Sequence, residues 1–326
     1  MLELPSGNSV EADIYISSSR CTGVGVVLVH PYALLGGSML DPIVSELFRC
    51  FASSPWVSGV VRYNQRGVGH TPGRKQLRGG SDFADVPDVC TALADRLKPD
   101  AAGAKRIALV GYSWGGCVAA AGLRHPLVAA YASLSFPLGG LSWVLSTRGH
   151  LDQVFQGRHV PRLFVLGTQD QFTKSAAFLA ALREAQGAVL RGDDSLQVDE
   201  AFFQGLDAQQ ARPGSEGVGL AARLGAKWST LLKENVLAPA PESAAALPAH
   251  ALSQRAPQAL HLRLWPEADH FWATEAPPAI EFLVEWVRAQ LGGLGAEGAD
   301  RRELDVRVLK AEDVERKAAG DDGHVR

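Results

Sequence analysis

Ser113 is the residue whose setting most directly indicates chemistry, because it lies within the glycine-flanked segment Gly111-Tyr112-Ser113-Trp114-Gly115. This segment fits the G-x-S-x-G pattern, in which a sharp turn from a strand to a helix exposes a serine hydroxyl for nucleophilic attack. An apolar run at 107–110 precedes it, and a helical stretch rich in small residues follows it. We predict a nucleophile at Ser113, and the alternative is a glycine-rich turn without chemistry.

A serine nucleophile needs a base that takes its proton and a carboxylate that orients the base. On a parallel sheet these partners follow later strands, in the chain order serine, acid, histidine. Asp170 follows an apolar run at 162–166, and His270 follows another at 260–265. We predict that Ser113, Asp170 and His270 form a catalytic triad at the carboxyl edge of the sheet, where such sheets bind ligands.

Other residues fit the acid and base roles less well. Asp193-Asp194 is the main competitor for the acid, although no strand precedes it. The alternative at Asp170 is a surface turn, and the alternative at His270 is a loop histidine without a catalytic role. The weaker competitors lie inside a strand, in a Pro/Ala-rich stretch, at a helix end or directly beside His270: His261, His250, His125, Glu267 and Asp269.

Two backbone N–H groups are needed to stabilise the oxyanion that forms during acyl transfer. We predict the N–H of Trp114, directly after the serine, and the N–H of Tyr32, in the loop after a strand at 23–29. His30, Trp272 and Arg66 are candidates for a substrate pocket. The alternatives are structural: His30 would brace its loop, Arg66 would tie loops together, and Trp272 would pack in the core or at the rim.

Patterns typical of metal and nucleotide sites are missing from the sequence. It contains neither H-E-x-x-H nor H-x-H nor paired cysteines, and it contains no P-loop lysine motif. We therefore predict no metal and no cofactor. A net charge of −3 implies no basic face, so nucleic acid is not an expected partner. The expected partner is a small acyl substrate, and the oligomeric state is left open.

The composition is that of a globular protein, with 46% hydrophobic and 21% charged residues in a chain of 326. The four cysteines are widely spaced, which favours free thiols in a reducing compartment. The sequence shows neither a leader nor an apolar run long enough to span a bilayer. We therefore expect a soluble, cytoplasmic protein.

Strand-like and helix-like segments alternate along most of the chain, which predicts an α/β fold with a doubly wound, mostly parallel sheet of about seven to eight strands. The first strand alternates apolar and polar residues, as a half-exposed antiparallel strand does. Predicted strands cover 10–16, 23–29, 58–63, 106–110, 128–136, 162–166 and 260–265, and predicted helices cover 39–52, 83–97, 113–124 and 278–291.

Two segments fall outside this alternation. Residues 187–257 form a polar, Ala/Gly/Pro-rich insertion between the last two strands, with one predicted helix at 219–233. Residues 292–326 are predicted to be a charged, largely disordered tail, which leaves 1–291 as the folded domain. We expect the insertion to cap the site. Its excision should then change the relative turnover of large and small substrates, and unchanged turnover would contradict a cap.

With these residues assigned, the chain resembles the α/β-hydrolase superfamily, and within it a group of small serine hydrolases similar to dienelactone-hydrolase-like and acyl-peptidase-like proteins. The resemblance implies an α/β-hydrolase fold, a triad of Ser113, Asp170 and His270, no cofactor, and hydrolysis of an ester, thioester or amide. Dienelactone hydrolases themselves use a cysteine where Ser113 stands, so their substrate is not implied. The motifs that carry the resemblance are Val29-His30-Pro31, Gly36-Gly37-Ser38-Met39, Arg62-Tyr63-Asn64-Gln65-Arg66-Gly67-Val68-Gly69, Gly111-Tyr112-Ser113-Trp114-Gly115-Gly116, Leu166-Gly167-Thr168-Gln169-Asp170 and Ala268-Asp269-His270-Phe271.

We predict a serine hydrolase of carboxylesterase type that works through an acyl-enzyme intermediate. A thioesterase and an acyl-aminoacyl peptidase are the nearest alternatives within this class. The alternative outside it is a catalytically silent α/β-hydrolase scaffold that binds a ligand or a protein. Such scaffolds usually lack a member of the triad, and this sequence has a candidate for each member.

Overall fold

The computed structural model describes residues 1–139, 145–157, 159–190, 260–265, 267–273 and 275–291. In these ranges the strands are β1 (Leu2–Glu3), β2 (Ser9–Val10), β3 (Ala12–Ile16), β4 (Val24–Val29), β5 (Gly59–Tyr63), β6 (Arg106–Tyr112), β7 (Val128–Leu134), β8 (Arg162–Gly167) and β9 (Leu260–Trp265). The α-helices are α1 (Pro42–Ser53), α2 (Gly80–Ala94), α3 (Trp114–Ala119), α4 (Thr147–Gln156), α5 (Ser175–Leu190) and α6 (Ala276–Leu291). Short 3₁₀ helices cover Ala33–Leu35 and Ala120–Arg124.

Seven strands form one sheet in the order β3-β5-β4-β6-β7-β8-β9, and β1 pairs separately with β2. β3 runs antiparallel to β5, and every other neighbouring pair in the large sheet is parallel. Because parallel strands end at the same edge, the segments that follow β6, β8 and β9 emerge side by side. The predicted doubly wound sheet with an antiparallel first strand is confirmed.

The sheet is buried on both faces, which explains why its central strands are apolar throughout rather than alternating. All six residues of β4, Val-Gly-Val-Val-Leu-Val, are buried. Alternate side chains of these strands join two separate cores. One core takes its helical residues from α1 and α6, and the other takes them from α2, α3, α4 and α5.

The structure differs from the sequence prediction at several helices. α2 begins at Gly80 rather than at 83, because the N–H of Asp82 already bonds to the carbonyl of Gly79 at 2.6 Å. It ends at Ala94, where tighter three-residue bonds replace the α-helical pattern as far as residue 97. Neither α4 nor α5 was predicted, and α4 holds Gly149 in the middle of its short sequence.

Several predictions concern residues outside the described ranges. α5 extends to Leu190, so the first four residues of the predicted insertion 187–257 belong to this helix. The rest of the insertion, its predicted helix at 219–233 and the tail at 292–326 lie outside the described residues. None of the helices in the described ranges is both long and apolar enough to cross a lipid bilayer.

Candidate active site

Ser113 occupies a sharp turn between the end of β6 and the start of α3. Its backbone has φ 53° and ψ −124°, a conformation that costs a non-glycine residue free energy and needs surrounding support. The N–H of Ser113 donates to the carbonyl of Leu134 at 2.8 Å, which ties the turn to β7. A Cβ on Gly111 would overlap the backbone of Gly115, and a Cβ on Gly115 would overlap the carbonyl of Val29. The two glycines of the motif are therefore required by close backbone packing.

Ser113, His270 and Asp170 form a continuous chain of hydrogen bonds. Ser113 Oγ lies 2.8 Å from Nε2 of His270, and Nδ1 of His270 lies 2.8 Å from Oδ2 of Asp170. Because the carboxylate is an acceptor, Nδ1 carries the proton and Nε2 accepts the serine hydroxyl. Asp170 is fully buried, while Ser113 and His270 retain 8% and 4% exposure. The serine hydroxyl thus lies at the more exposed end of this series of hydrogen bonds, and the carboxylate lies at its buried end.

The carboxylate of Asp170 is held on both of its oxygens. Oδ1 accepts the backbone N–H groups of Phe172 and Thr173, each at 2.8 Å, so Oδ2 is left for His270. This pattern is a local Asx-type turn, in which an aspartate bonds the backbone two and three residues later. The turn that carries Asp170 therefore also orients its side chain.

Thr173 joins the loop after β8 to the loop after β7, a connection we call the Thr173 latch. Its hydroxyl donates to the carbonyl of Phe136 at 2.8 Å and accepts the N–H of Leu138 at 2.6 Å. Thr173 is fully buried, so neither contact has water as a substitute. The latch fixes the Asp170 loop relative to the strand next to β6.

The His270 loop is held by two further hydrogen bonds and one ring contact. The hydroxyl of Tyr112, the residue before the serine, donates to the carbonyl of His270 at 2.9 Å. The backbone N–H of His270 donates to Oε1 of Gln171 at 3.1 Å. The ring of Phe172 lies 4.4 Å from the imidazole ring, measured between centroids. The backbone and the ring of His270 are thus both held by residues that lie close in sequence to Ser113 or to Asp170.

The two segments predicted to supply oxyanion donors lie against each other. Gly115 packs on the carbonyls of Val29 and His30, directly before the loop that contains Tyr32. The rings of Tyr32 and Trp114 meet edge to face at 5.3 Å, and the Tyr32 hydroxyl donates to the carbonyl of Leu77 at 2.6 Å. Trp114 is the first residue of α3, where N–H groups have no acceptor within the helix.

His30 is buried and braces the loop after β4. Its Nε2 accepts the N–H of Gln65 at 3.0 Å, so Nδ1 is protonated and donates to the carbonyl of Pro31 at 2.6 Å. The side-chain amide of Gln65 also donates to the carbonyl of His30 at 2.9 Å. Burial lowers the pKa of His30 to about 4, which keeps the ring neutral. These contacts correspond to the structural alternative rather than to a pocket residue.

Arg66 and Trp272 also direct their polar atoms into the protein. The guanidinium of Arg66 contacts both carboxylate oxygens of Asp85 at 2.5 Å, and its backbone N–H donates to Asp82. Trp272 is 1% exposed, and its indole N–H donates to the hydroxyl of Ser135 at 2.9 Å. Arg66 therefore ties two loops together, and Trp272 packs in the core.

The competing histidines have partners of their own. Nε2 of His125 lies 3.1 Å from the hydroxyl of Thr91, and His261 packs edge to face on Trp286 at 5.6 Å. His250 and Asp193-Asp194 lie outside the described ranges. Within those ranges, the chain of hydrogen bonds through Ser113 involves His270 and Asp170 alone among the predicted candidates.

The structure adds residues that the sequence analysis did not single out. Thr173 and Phe172 follow Asp170 closely, and an Asp followed three residues later by a threonine was the available signal. His150 of α4 lies 4.5 Å from Phe83 and 5.9 Å from Trp114, between ring centroids. Burial lowers the pKa of His150 to about 4, so it packs as a neutral ring. No local motif marked His150, because its helix was not predicted.

The hydroxyl of Tyr112 is buried beneath the His270 loop. Burial first, and then the carboxylates of Asp41, Asp170 and Asp269, raise the pKa of this phenol.

Among the described residues, no group of three or more His, Cys, Asp and Glu side chains is arranged to hold a metal ion. The arrangement supplies a hydroxyl, an imidazole and a carboxylate in a line, which is the constellation used for acyl transfer.

Comparison with known proteins agrees with the fold described above. The sequence pattern described as the alpha/beta hydrolase family matches residues 26–281. The chain belongs to the α/β-hydrolase family. The α/β-hydrolase fold expected from the sequence, and the resemblance that implied it, are therefore confirmed. No curated protein matches this α/β-hydrolase in sequence.

Solved structures of other proteins share this architecture. A serine hydrolase without a lid from Xanthomonas campestris is 17% identical, with 89% of this chain and 93% of that chain covered and a TM-score of 0.53. Est1E from Butyrivibrio proteoclasticus, with ferulic acid bound, is 11% identical, with 90% and 99% covered and a TM-score of 0.54. At these identities the likeness establishes the fold alone.

Proposed function

We propose that this chain is a serine hydrolase that cleaves an ester, thioester or amide, with carboxylesterase-type chemistry. The observation that carries the proposal is the hydrogen-bonded line Ser113 Oγ–His270 Nε2 and His270 Nδ1–Asp170 Oδ2, with 2.8 Å at each step. Family membership supports hydrolase chemistry in general. Residues 1–291 are taken as the hydrolase domain in this proposal.

In the first half-reaction Ser113 Oγ attacks the carbonyl carbon of the substrate while His270 Nε2 takes the hydroxyl proton. Asp170 holds the imidazole in the required tautomer and stabilises the imidazolium that forms. The oxyanion is stabilised by the backbone N–H groups of Trp114 and Tyr32, which belong to two segments in direct contact. His270 then returns the proton to the leaving group as the bond to it breaks.

In the second half-reaction a water molecule attacks the acyl group on Ser113. His270 takes a proton from this water and returns it to Ser113 Oγ, which releases the acid and restores the enzyme. Each proton in the cycle passes through Nε2 of His270, so this ring is as necessary as the nucleophile. A variant that lacks the side chain of Ser113 or that of His270 should therefore lose both half-reactions.

A fluorophosphonate probe tests the proposal, because it reacts with an activated serine and not with serines in general. We expect stoichiometric labelling of the wild type and loss of labelling in Ser113→Ala and in His270→Ala. His70→Ala is the matched control, because its imidazole lies at the surface beside Glu11 and should not affect labelling. Hydrolysis of p-nitrophenyl acetate should follow the same pattern.

Two results would contradict the hydrolase. One is the absence of labelling in folded wild-type protein, which would favour the catalytically silent scaffold that binds a ligand or protein. The other is labelling that persists in Ser113→Ala, which would place the reactive group elsewhere. Circular dichroism of each variant separates loss of chemistry from loss of fold.

A further inference from the structure

Phe271 is an apolar ring left open to solvent directly beside the imidazole of His270. It is 49% exposed, whereas its neighbour His270 is 4% exposed. Five large apolar side chains are exposed within the described ranges, and Phe271 is the only aromatic one among them: Met1, Ile14, Ile16, Leu40 and Phe271. An isolated exposed apolar residue needs no explanation, but one at the mouth of a reactive site does.

Phe271 is part of a three-ring group with His270 and Phe172, which we call the aromatic rim. Ring centroids are 5.6 Å apart for His270 and Phe271, 4.4 Å for Phe172 and His270, and 6.0 Å for Phe172 and Phe271. Two of these pairs meet edge to face, the favourable geometry for aromatic rings. The rim is therefore an ordered surface, and half of one ring remains available for contact.

The backbones of both phenylalanines are fixed by aspartates of the same two loops. The N–H of Phe172 donates to Oδ1 of Asp170 at 2.8 Å, and the N–H of Phe271 donates to Oδ1 of Asp269 at 3.0 Å. A Cβ on Gly139 would overlap the carbonyl of Phe172, so this residue also packs on the segment after β7. The position of the rim relative to Nε2 of His270 is thus set by the contacts that hold the site itself.

Acyl transfer brings the leaving group next to His270. The Ser113 Oγ–carbon bond forms, the bond from the carbonyl carbon to the alcohol oxygen breaks, and the proton on His270 Nε2 passes to that oxygen. The leaving oxygen must therefore lie within hydrogen-bond distance of Nε2. Groups attached to it meet the side chains that flank His270, and the acyl group does not need to.

A charged group nearby restricts the leaving group further. Asp269, directly before His270 in the chain, accepts the backbone N–H of Phe271 on its carboxylate at 3.0 Å. A carboxylate beside the rim disfavours an anionic leaving group, while the rings favour a planar apolar one.

We propose that the aromatic rim of Phe172 and Phe271 binds the leaving group, and that the preferred substrates are esters of uncharged aromatic alcohols. This inference rests on the proposed serine hydrolase chemistry at Ser113. It assigns leaving-group specificity to two residues that take no part in the proton transfers.

Acetate esters with matched alcohols test the rim. Benzyl acetate and cyclohexylmethyl acetate release alcohols of similar size and differ in aromaticity, and ethyl acetate lacks the ring. The quantity to compare is kcat/KM, because it reports acylation, the step in which the alcohol leaves. All three esters pass through the same acetyl-enzyme, so deacylation is common to them.

In the wild type we expect kcat/KM to be highest for benzyl acetate. Phe271→Ala should reduce the preference for benzyl over ethyl acetate by about two- to tenfold, the range of one aromatic contact. Phe271→Leu should keep the wild-type kcat/KM for cyclohexylmethyl acetate, whereas its kcat/KM for benzyl acetate should no longer be the higher of the two. Ile14→Ala is the control, because it removes an exposed apolar side chain from the edge strand β3.

The outcomes separate the two proposals. Absence of fluorophosphonate labelling in the wild type would contradict the serine hydrolase proposal, and the proposed role of the rim, which rests on it, would fail as well. Two results with a labelled wild type would overturn the proposed role of the rim and leave the serine hydrolase proposal in place. One is that the wild type shows no preference for benzyl acetate, and the other is that Phe271→Ala leaves such a preference unchanged. An equal loss for all three esters in Phe271→Ala also overturns the rim, since it would indicate displacement of His270 rather than loss of a binding surface.

Discussion

Ser113 and Asp170 show how much of this site depends on single residues held in demanding positions. The positive φ of Ser113 costs about 1–3 kcal/mol, and close packing of the neighbouring glycines is what maintains it. Asp170 is buried with both carboxylate oxygens engaged. A buried acceptor whose partners are fixed tolerates little change of chemistry, even where the shape is conserved.

Asp170→Asn tests the role of the carboxylate without a change of shape. The amide can keep an oxygen toward the N–H groups of Phe172 and Thr173, but its NH₂ then faces Nδ1 of His270 and favours the wrong tautomer. We expect kcat for p-nitrophenyl acetate to fall by about 10³- to 10⁴-fold. Asp95→Asn, at an exposed position directly after α2, is the control and should stay close to wild type. Comparable activity of the two variants would exclude Asp170 as the orienting acid.

Loops and the ends of strands are the elements that assemble this site, and the Thr173 latch is their main cross-connection. It joins the loop of Asp170 to residues 136–138 through one buried hydroxyl. The strands fix where the loops begin, but contacts between loops decide where the side chains finish. A change at the latch should therefore affect catalysis more than substrate binding.

Thr173→Val keeps the shape of the side chain and removes the hydroxyl. The N–H of Leu138 and the carbonyl of Phe136 then lose a buried partner, which should cost about 1–3 kcal/mol in the free energy of unfolding. We expect kcat to fall at least tenfold with KM nearly unchanged, and Thr173→Ser to restore most of it. Urea denaturation and steady-state kinetics measure the two effects. A full loss in Thr173→Ser would show that the methyl group, not the hydroxyl, matters.

At the scale of the whole molecule, the pH dependence of stability reflects ionisable groups buried away from the site. Asp82 is 3% exposed and accepts the backbone N–H of Arg66. Burial raises the pKa of Asp82 from 3.8 to about 7, with Asp85 adding to the shift and Arg66 opposing it. Between these two pH values the unfolded chain has lost this proton while the folded protein retains it.

The folded state therefore loses stability from Asp82 as pH rises from about 4 to about 7, by up to about 1.4 kcal/mol per pH unit. Asp82→Asn removes this dependence, so the variant should gain on the wild type as pH increases. Urea denaturation at pH 5 and pH 7 measures the difference. Asp88→Asn is the control, and a pH dependence in Asp82→Asn as steep as in the wild type would refute the prediction.

Local patterns were enough to predict the seven strands of the large sheet and the turn at Ser113, and to place the three candidate residues in the order serine, acid, histidine, whereas the short pair β1 and β2 was missed. The β4 prediction succeeded because a strand buried on both faces must be apolar at every position. The turn at Ser113 was predictable because glycines are needed wherever backbone passes this close. These features depend on residues within a few positions of one another, so the chain itself carries them.

Contacts between distant segments depend on the order of the strands in the sheet, which local patterns do not give; the chain order of the motifs predicted only that Asp170 and His270 share one edge of the sheet. His270 and Asp170 are 100 residues apart and meet because β8 and β9 are neighbours in the sheet. The roles of Arg66 and His30 depended on partners in other segments, Asp85 and Gln65, which spacing along the chain does not reveal. The Thr173 latch and the aromatic rim arise in the same way, because side chains from separate loops meet only after the sheet has brought the strand ends together.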